Sequence, residues 1–294
     1  MNTPILSYPR EPRSAFTLIE IMVATVIMVI LTGLVVQITS EVLKVWNRSS
    51  GKLAANAEAR IAMDFLTQDL EAAVFRNNGM QWLEATQEDL SNPFTISGYK
   101  TTTLKLFSPA TDRPDGPGDI CGIAYLLDFR NAIDGGTDGD QTFVLYRNVV
   151  SAADTFNDLM GSPAQLTMSI GEWTEANIRG VEGRNYLVSS VVDFQVTFYL
   201  ADDGDPATAE EIPPGTAVRF GGSSPTVGSG ATGAFNRPLA YADIMLRVLT
   251  AEALQVVQRG NSALASTGYT TWSDFIAANS EVFIRRVNFL ARPL

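Results

Sequence analysis

"SAFTLIEIMVATVIMVI", residues 14–30, is an apolar run that holds a single carboxylate, Glu20. The run continues to Ile38 without another ionisable side chain. At about 1.5 Å per helical residue, 16–38 reaches roughly 34 Å. That exceeds the ~30 Å hydrocarbon core of a bilayer. Core helices of soluble domains rarely stay apolar all round for that length, so 16–38 reads as a membrane-spanning helix. Thr17, Thr25, Thr32 and Gly33 fit it. A threonine hydroxyl can bond back to its own helix, and small residues are common in such spans.

An acid in hydrocarbon is costly and calls for a partner. No Lys, Arg or His lies within 16–38. Glu20 therefore snorkels, stays protonated, or meets a cation on another chain. The preceding segment, "MNTPILSYPREPRSA", carries Arg10 and Arg13 and ends on the small residue Ala15. A secretory signal places its small-residue cleavage site after the apolar core, whereas here it precedes it. A cut after Ala15 would leave the whole helix on the product and create an α-amino group at Phe16. The same amine on a neighbouring copy could pair with Glu20.

The pattern "A-FTLIE-IMVA" resembles the class III signal of type IV pilin-like proteins. That resemblance implies cutting and N-methylation by prepilin peptidase, with Ala15 before the cut and Phe16 as the methylated N-terminus. It also implies that Glu20 bonds a neighbour's amine during assembly. The family usually has Gly before the cut, and this chain has Ala15.

The formal charge is −11 and His is absent. Without His there is no Ser-His-Asp triad, Cys-His dyad or His-ligated zinc site. No other constellation suggests an enzyme. No basic patch suits nucleic acid. The arginines before the span place the N-terminus in the cytoplasm by the positive-inside rule, with the acidic remainder across the inner membrane. Cys121 is the single cysteine, so no internal disulfide forms. Its neighbours Ile120 and Gly122 mark it as a core residue.

Proline is absent from Glu41 to Arg76, so a helix is expected to continue there, with Gly51 as a possible bend. In "AEARIAMDFLTQDLEAAV", Ile61, Phe65 and Ala72 share one side, with Ala62, Leu66, Leu70 and Ala73 beside them. Ile61, Phe65, Leu66 and Leu70 are the expected buried set. The "aR…DFL…DLeaA" pattern is similar to the stem helix of larger minor pilins and pseudopilins.

Beyond Asn77, Asn78 and Gly79 the period changes to that of strands. "TTTLKLFSPA" sets Leu104 and Leu106 against Thr103 and Lys105. "CGIAYLLDFR" and "QTFVLYRNVV" read as a hairpin. "YLVSSVVDFQVTFYLADDG" places Val192, Phe194, Val196 and Phe198 on one face. "YADIMLRVLTAEAL" and "EVFIRRVNFLARPL" complete the strands, and "PPGTAVRFGGSSPTVGSGATGAFNRP" reads as a long surface loop. The succession "VVDFQVTFYLADDG", "RPLAYADIMLRVLT", "FIRRVNFL" resembles the J-class minor pseudopilin of type II secretion and the W-type minor pilins. The Gly/Ser loop and an insert near 160–178 depart from that pattern.

Two acidic loops remain. "DGGTDGD" gathers Asp134, Asp138 and Asp140, and "ADDGD" gathers Asp202, Asp203 and Asp205. Clustered carboxylates can hold Ca²⁺. The spacing is not that of an EF-hand, and an Asp/Gly hairpin turn accounts for the same residues without metal. Trp46 suits a membrane interface or a filament contact, with Lys44 and Arg48 beside it.

The expected fold is α+β: a leader at 1–15, a transmembrane segment at 16–38, an amphipathic stem helix at 39–76 and an antiparallel β-rich head at 77–294. The expected function is that of a minor pilin or pseudopilin. Its partners would be prepilin peptidase, the inner membrane and other pilin-like subunits, and it would end in a pilus or pseudopilus. A major or adhesive pilin and a membrane-anchored binding ectodomain are the alternatives.

Overall fold

A long unbroken helix follows from a sequence that offers no proline between Leu18 and Glu71, and the computed structural model shows one over that whole range, α1. Residues 17–76, 78–90, 96–110, 120–161, 165–166, 171–200, 206–223, 225–230 and 239–289 are described. The chain divides into two units, Met1–Ser49 and Ser50–Leu294. In the first, the described apolar side chains are exposed, Met28 and Val29 by 69% and 70%. The helix is long and apolar enough to cross a membrane, by length and composition.

In the second unit α1 buries one stripe: Ala59, Ala62, Met63, Leu66 and Leu70. The spacing is that of a helix with one wet face. The expectation for Leu66 and Leu70 holds, but that for Ile61 does not, since it is 53% exposed. Phe65 is half-buried, with the Arg147 guanidinium 4.7 Å over its ring. At about 100° per residue, Ala59, Ala62 and Met63 fall on the other side of the helix from Ile61, so that side chain projects away from the stripe. Nor does Gly51 interrupt the helix. A Cβ there would lie 3.2 Å from that of Ala251, so the missing side chain permits a close approach.

The strands are β1 (Leu83–Asp89), β2 (Lys100–Ser108), β3 (Cys121–Asn131), β4 (Gln141–Val149), β5 (Tyr186–Ser189), β6 (Val191–Leu200), β7 (Glu210–Glu211), β8 (Val218–Gly222), β9 (Val227–Gly230), β10 (Leu239–Leu249) and β11 (Ser280–Asn288). One path runs β11-β10-β6-β2-β1-β8-β9, and β3, β4 and β5 branch from β2. Pairing is antiparallel except β2 with β6 and β8 with β9. The expected hairpin is β3–β4. Val192, Phe194, Val196 and Phe198 are all buried, as alternation requires.

Several sequence expectations need correction. The helix ends at Glu71 instead of 76, because Val74 N–H donates to the Phe107 carbonyl at 2.8 Å and Phe75 packs on Phe220 and Phe289. β8 and β9 lie within what reads as a surface loop. "YADIMLRVLTAEAL" changes type after Leu249, because Thr250 accepts from Ala253 N–H and caps a helix, Ala251–Arg259.

Lys105 departs most from the alternation. The insert after β4 lays Leu159, Leu166 and Trp173 over the second face of β2 and β3, and all three are buried. Gly122 permits the contact: a Cβ there would meet Leu159 and Trp173 at 2.8 Å. Lys105 is thereby enclosed and donates to Glu84 Oε2 and the Leu166 carbonyl, both at 3.1 Å. Glu84 sits opposite Lys105 and Arg219 in register, and Arg219 Nε reaches its other oxygen at 3.0 Å. Burial pushes the Lys105 ammonium down, against the pull of Glu84.

Leu66→Ala is expected to cost about 2–5 kcal/mol, the range for emptying a buried leucine site. Ile61→Ala is expected to stay within about 0.5 kcal/mol. Denaturant unfolding of the full chain in detergent, followed by tryptophan fluorescence, compares the two. Equal losses would show that the stripe is wrongly assigned.

Candidate functional site

The opening of α1 is built around the acid that the sequence singles out. Helix starts leave N–H groups unpaired, and here two residues three apart satisfy them mutually. Thr17 N–H donates to Glu20 Oε2 at 2.9 Å, and the Thr17 hydroxyl donates to the same oxygen at 3.0 Å. Glu20 N–H donates back to Thr17 Oγ1 at 3.3 Å. This is a capping box, Thr-x-x-Glu, with the acid three residues into the helix. From sequence, Glu20 snorkels, stays protonated or meets a cation on another chain; the threonine three residues before it is a further partner, and the Thr17/Glu20 spacing is itself its signal. Ala15 and Phe16 lie outside the described residues.

Further along the first unit, Thr25, Thr32, Thr39 and Ser40 return their hydroxyls to carbonyls three or four residues back. The polar atoms of these side chains are thus satisfied without water. Trp46 is 70% exposed, and Lys44 pairs with Glu41 at 3.6 Å. The Arg48 side chain lies outside the described residues.

In the second unit the helix is fastened to the sheet by charge as well as by its apolar stripe. Asp69 is 1% exposed and receives Arg147 Nε at 2.8 Å and Nη2 at 3.0 Å, a two-point contact. Tyr125 donates its hydroxyl to the same carboxylate. Burial raises the Tyr125 phenol well above its ordinary range; the Asp69 charge adds to this and Arg147 opposes it. Nearer the surface, Arg285 reaches Asp64 at 2.6 Å and Lys52 reaches Glu281 at 3.7 Å. Leu53, Ala57 and Ile61 project from the helix to solvent at i, i+4, i+8.

The acidic loop at 132–140 is organised as a turn. Asp134 Oδ1 accepts from Gly136 N–H at 2.8 Å, and the Asp138 carbonyl accepts from Asn131 at 3.2 Å. Among the described residues no three acidic or cysteine side chains, Asp140 included, converge on a metal-sized volume. Asp202, Asp203 and Asp205 lie outside the described residues. Cys121 is buried at the start of β3.

Residues 12–36 match the family model of the prokaryotic N-terminal methylation motif, the type IV pilin class III signal. The match contains Ala15, Phe16 and the Thr17–Glu20 cap. No curated protein and no solved structure matches the chain.

Asp69→Asn removes the charge that neutralises Arg147 in a dry site and is expected to cost about 3–5 kcal/mol of head stability. Tyr125 supplies a pH test. Its phenol is raised in the folded state, so its contribution is complete below pH ~10, where the unfolded tyrosine begins to ionise, and is lost above that. Unfolding free energy measured from pH 9 to 11 should fall more steeply for the native chain than for Tyr125→Phe. Parallel profiles would contradict the burial of this group.

Proposed function

We propose that the chain is a type IV pilin-like subunit: a membrane-held precursor that prepilin peptidase cuts between Ala15 and Phe16 and methylates at Phe16. The observation that carries this reading is the methylation motif at 12–36, set on a helix that is apolar all round and starts on a capped acid. The reading makes the chain a structural subunit of an assembly, not an enzyme. Its partners are the peptidase and other pilin-like subunits.

Assembly then pairs Glu20 with the Phe16 amine of an adjacent subunit. A span that is apolar on every side suits lipid and a bundle of like helices equally, so transfer between them costs little hydrophobic free energy. Depth and register are left to the one charge. The outward row Leu53–Ala57–Ile61 supports helix-to-helix contact beyond the span, since these apolar side chains of α1 stay exposed beside the buried stripe.

Within this class we assign a minor subunit of the J-class or W-type kind. The order of β6, β10 and β11 and the large unit from Ser50 onward support this. A head of that size repeated along a fibre would crowd it, which weighs against a major or adhesive pilin.

Intact-mass analysis of protein extracted from membranes tests the reading. The expected product begins at Phe16 and carries one added methyl group. A chain that keeps residues 1–15, or one cut beyond residue 30, would overturn it.

A further inference from the structure

Glu20 meets its own helix through one oxygen. Oε2 accepts both from Thr17 N–H and from the Thr17 hydroxyl, while Oε1 has no partner among the described residues. Thr17 Oγ1 is engaged on both sides, donating to Oε2 and accepting from Glu20 N–H. A glutamate side chain has several staggered rotamers open to it, and these three bonds select one. They leave a carboxylate with one oxygen held and the other open.

We propose that Thr17 is the positioning residue for Glu20, holding Oε2 within the chain so that Oε1 is presented to the amine of the neighbouring subunit. The inference rests on the pilin-like reading and adds to it a division of labour between the two oxygens. The cap and the inter-subunit pair then coexist instead of competing. A carboxylate can accept several hydrogen bonds, so an approaching amine need not displace the threonine. The side chain is also ordered before pairing, which lowers the entropy lost when the pair forms.

The test uses the full chain in membranes that contain the peptidase and the assembly machinery. Intact mass first establishes that every variant is cut and methylated. The quantity then read is the fraction of processed protein recovered in sheared filaments. Thr17→Val keeps the shape and the backbone N–H but loses the hydroxyl. It should lower incorporation about five-fold, the factor typical of one lost helix cap. Thr17→Ser, which restores a hydroxyl, should return most of it. The double variant Thr17→Val/Glu20→Gln should assemble no worse than Glu20→Gln alone, because the threonine acts through the acid. Additive losses would mean that Thr17 supports the helix in some other way and would overturn the proposal. So would a Thr17→Val chain that assembles like the unsubstituted one. An uncut native chain would instead sink the pilin-like reading, and the proposal with it.

Discussion

Asp69 accepts two hydrogen bonds from Arg147 and one from Tyr125 in a site closed to water, and three distant pieces of chain meet there. α1 brings the acid, β3 the phenol and β4 the guanidinium. A buried charge left alone is strongly destabilising, so all three must arrive in one arrangement or the site is not formed. The apolar stripe from Ala59 to Leu70 tolerates small slips along the sheet, since dispersion has little directionality. A two-point arginine contact does not. The charge therefore sets the axial position of the helix on the sheet, and the stripe supplies most of the area. The end of the helix at Glu71 follows, since the next residues are drawn into backbone and ring contacts with the sheet.

Local information explains what was legible in the sequence. The apolar span, the β3–β4 hairpin and the inward face of β6 each rest on a period or a turn contained within a short window. Asp69 was not legible, because it sits beside Glu71 and Gln68 and looks solvated, and what buries it comes from β3 and β4. Lys105 misled for a related reason. Its alternation with Leu104 and Leu106 describes a strand with one wet face, and only the insert after β4 covers that face. Its register partner Glu84 lies between it and Arg219, and Arg219 belongs to a strand far away in sequence. The expected burial of Ile61 failed for the same reason: Ile61 and Met63 are both apolar, and only the distant sheet decides that Met63 is covered and Ile61 is not.

Glu20 is a different case, because its partner is three residues away. The Thr-x-x-Glu spacing is as local as any signal in the chain. An acid in an apolar run draws attention to what lies outside the run, and the helix's own unpaired N–H groups are easily passed over. Glu20 thus closes the start of its own helix with groups that the same turn supplies. In the candidate site the cap is therefore legible in Thr17 and Glu20 alone, whereas no spacing within one chain specifies a partner on another.

The ion pair between Asp64 and Arg285 spans 221 positions of sequence. Its consequence is temporal. A helical segment of about 20 residues relaxes in about a microsecond or less, a time short against the closure of contacts this remote. For that interval Ala62, Met63, Leu66 and Leu70 face solvent as a ready-made template, and strands must find it one after another. Pairings as remote as Leu83 with Phe220 add loop closures that slow the search. Arg285 can close on Asp64 only once β11 has returned to the helix, so this contact belongs to the end of the chain's synthesis and not to its beginning.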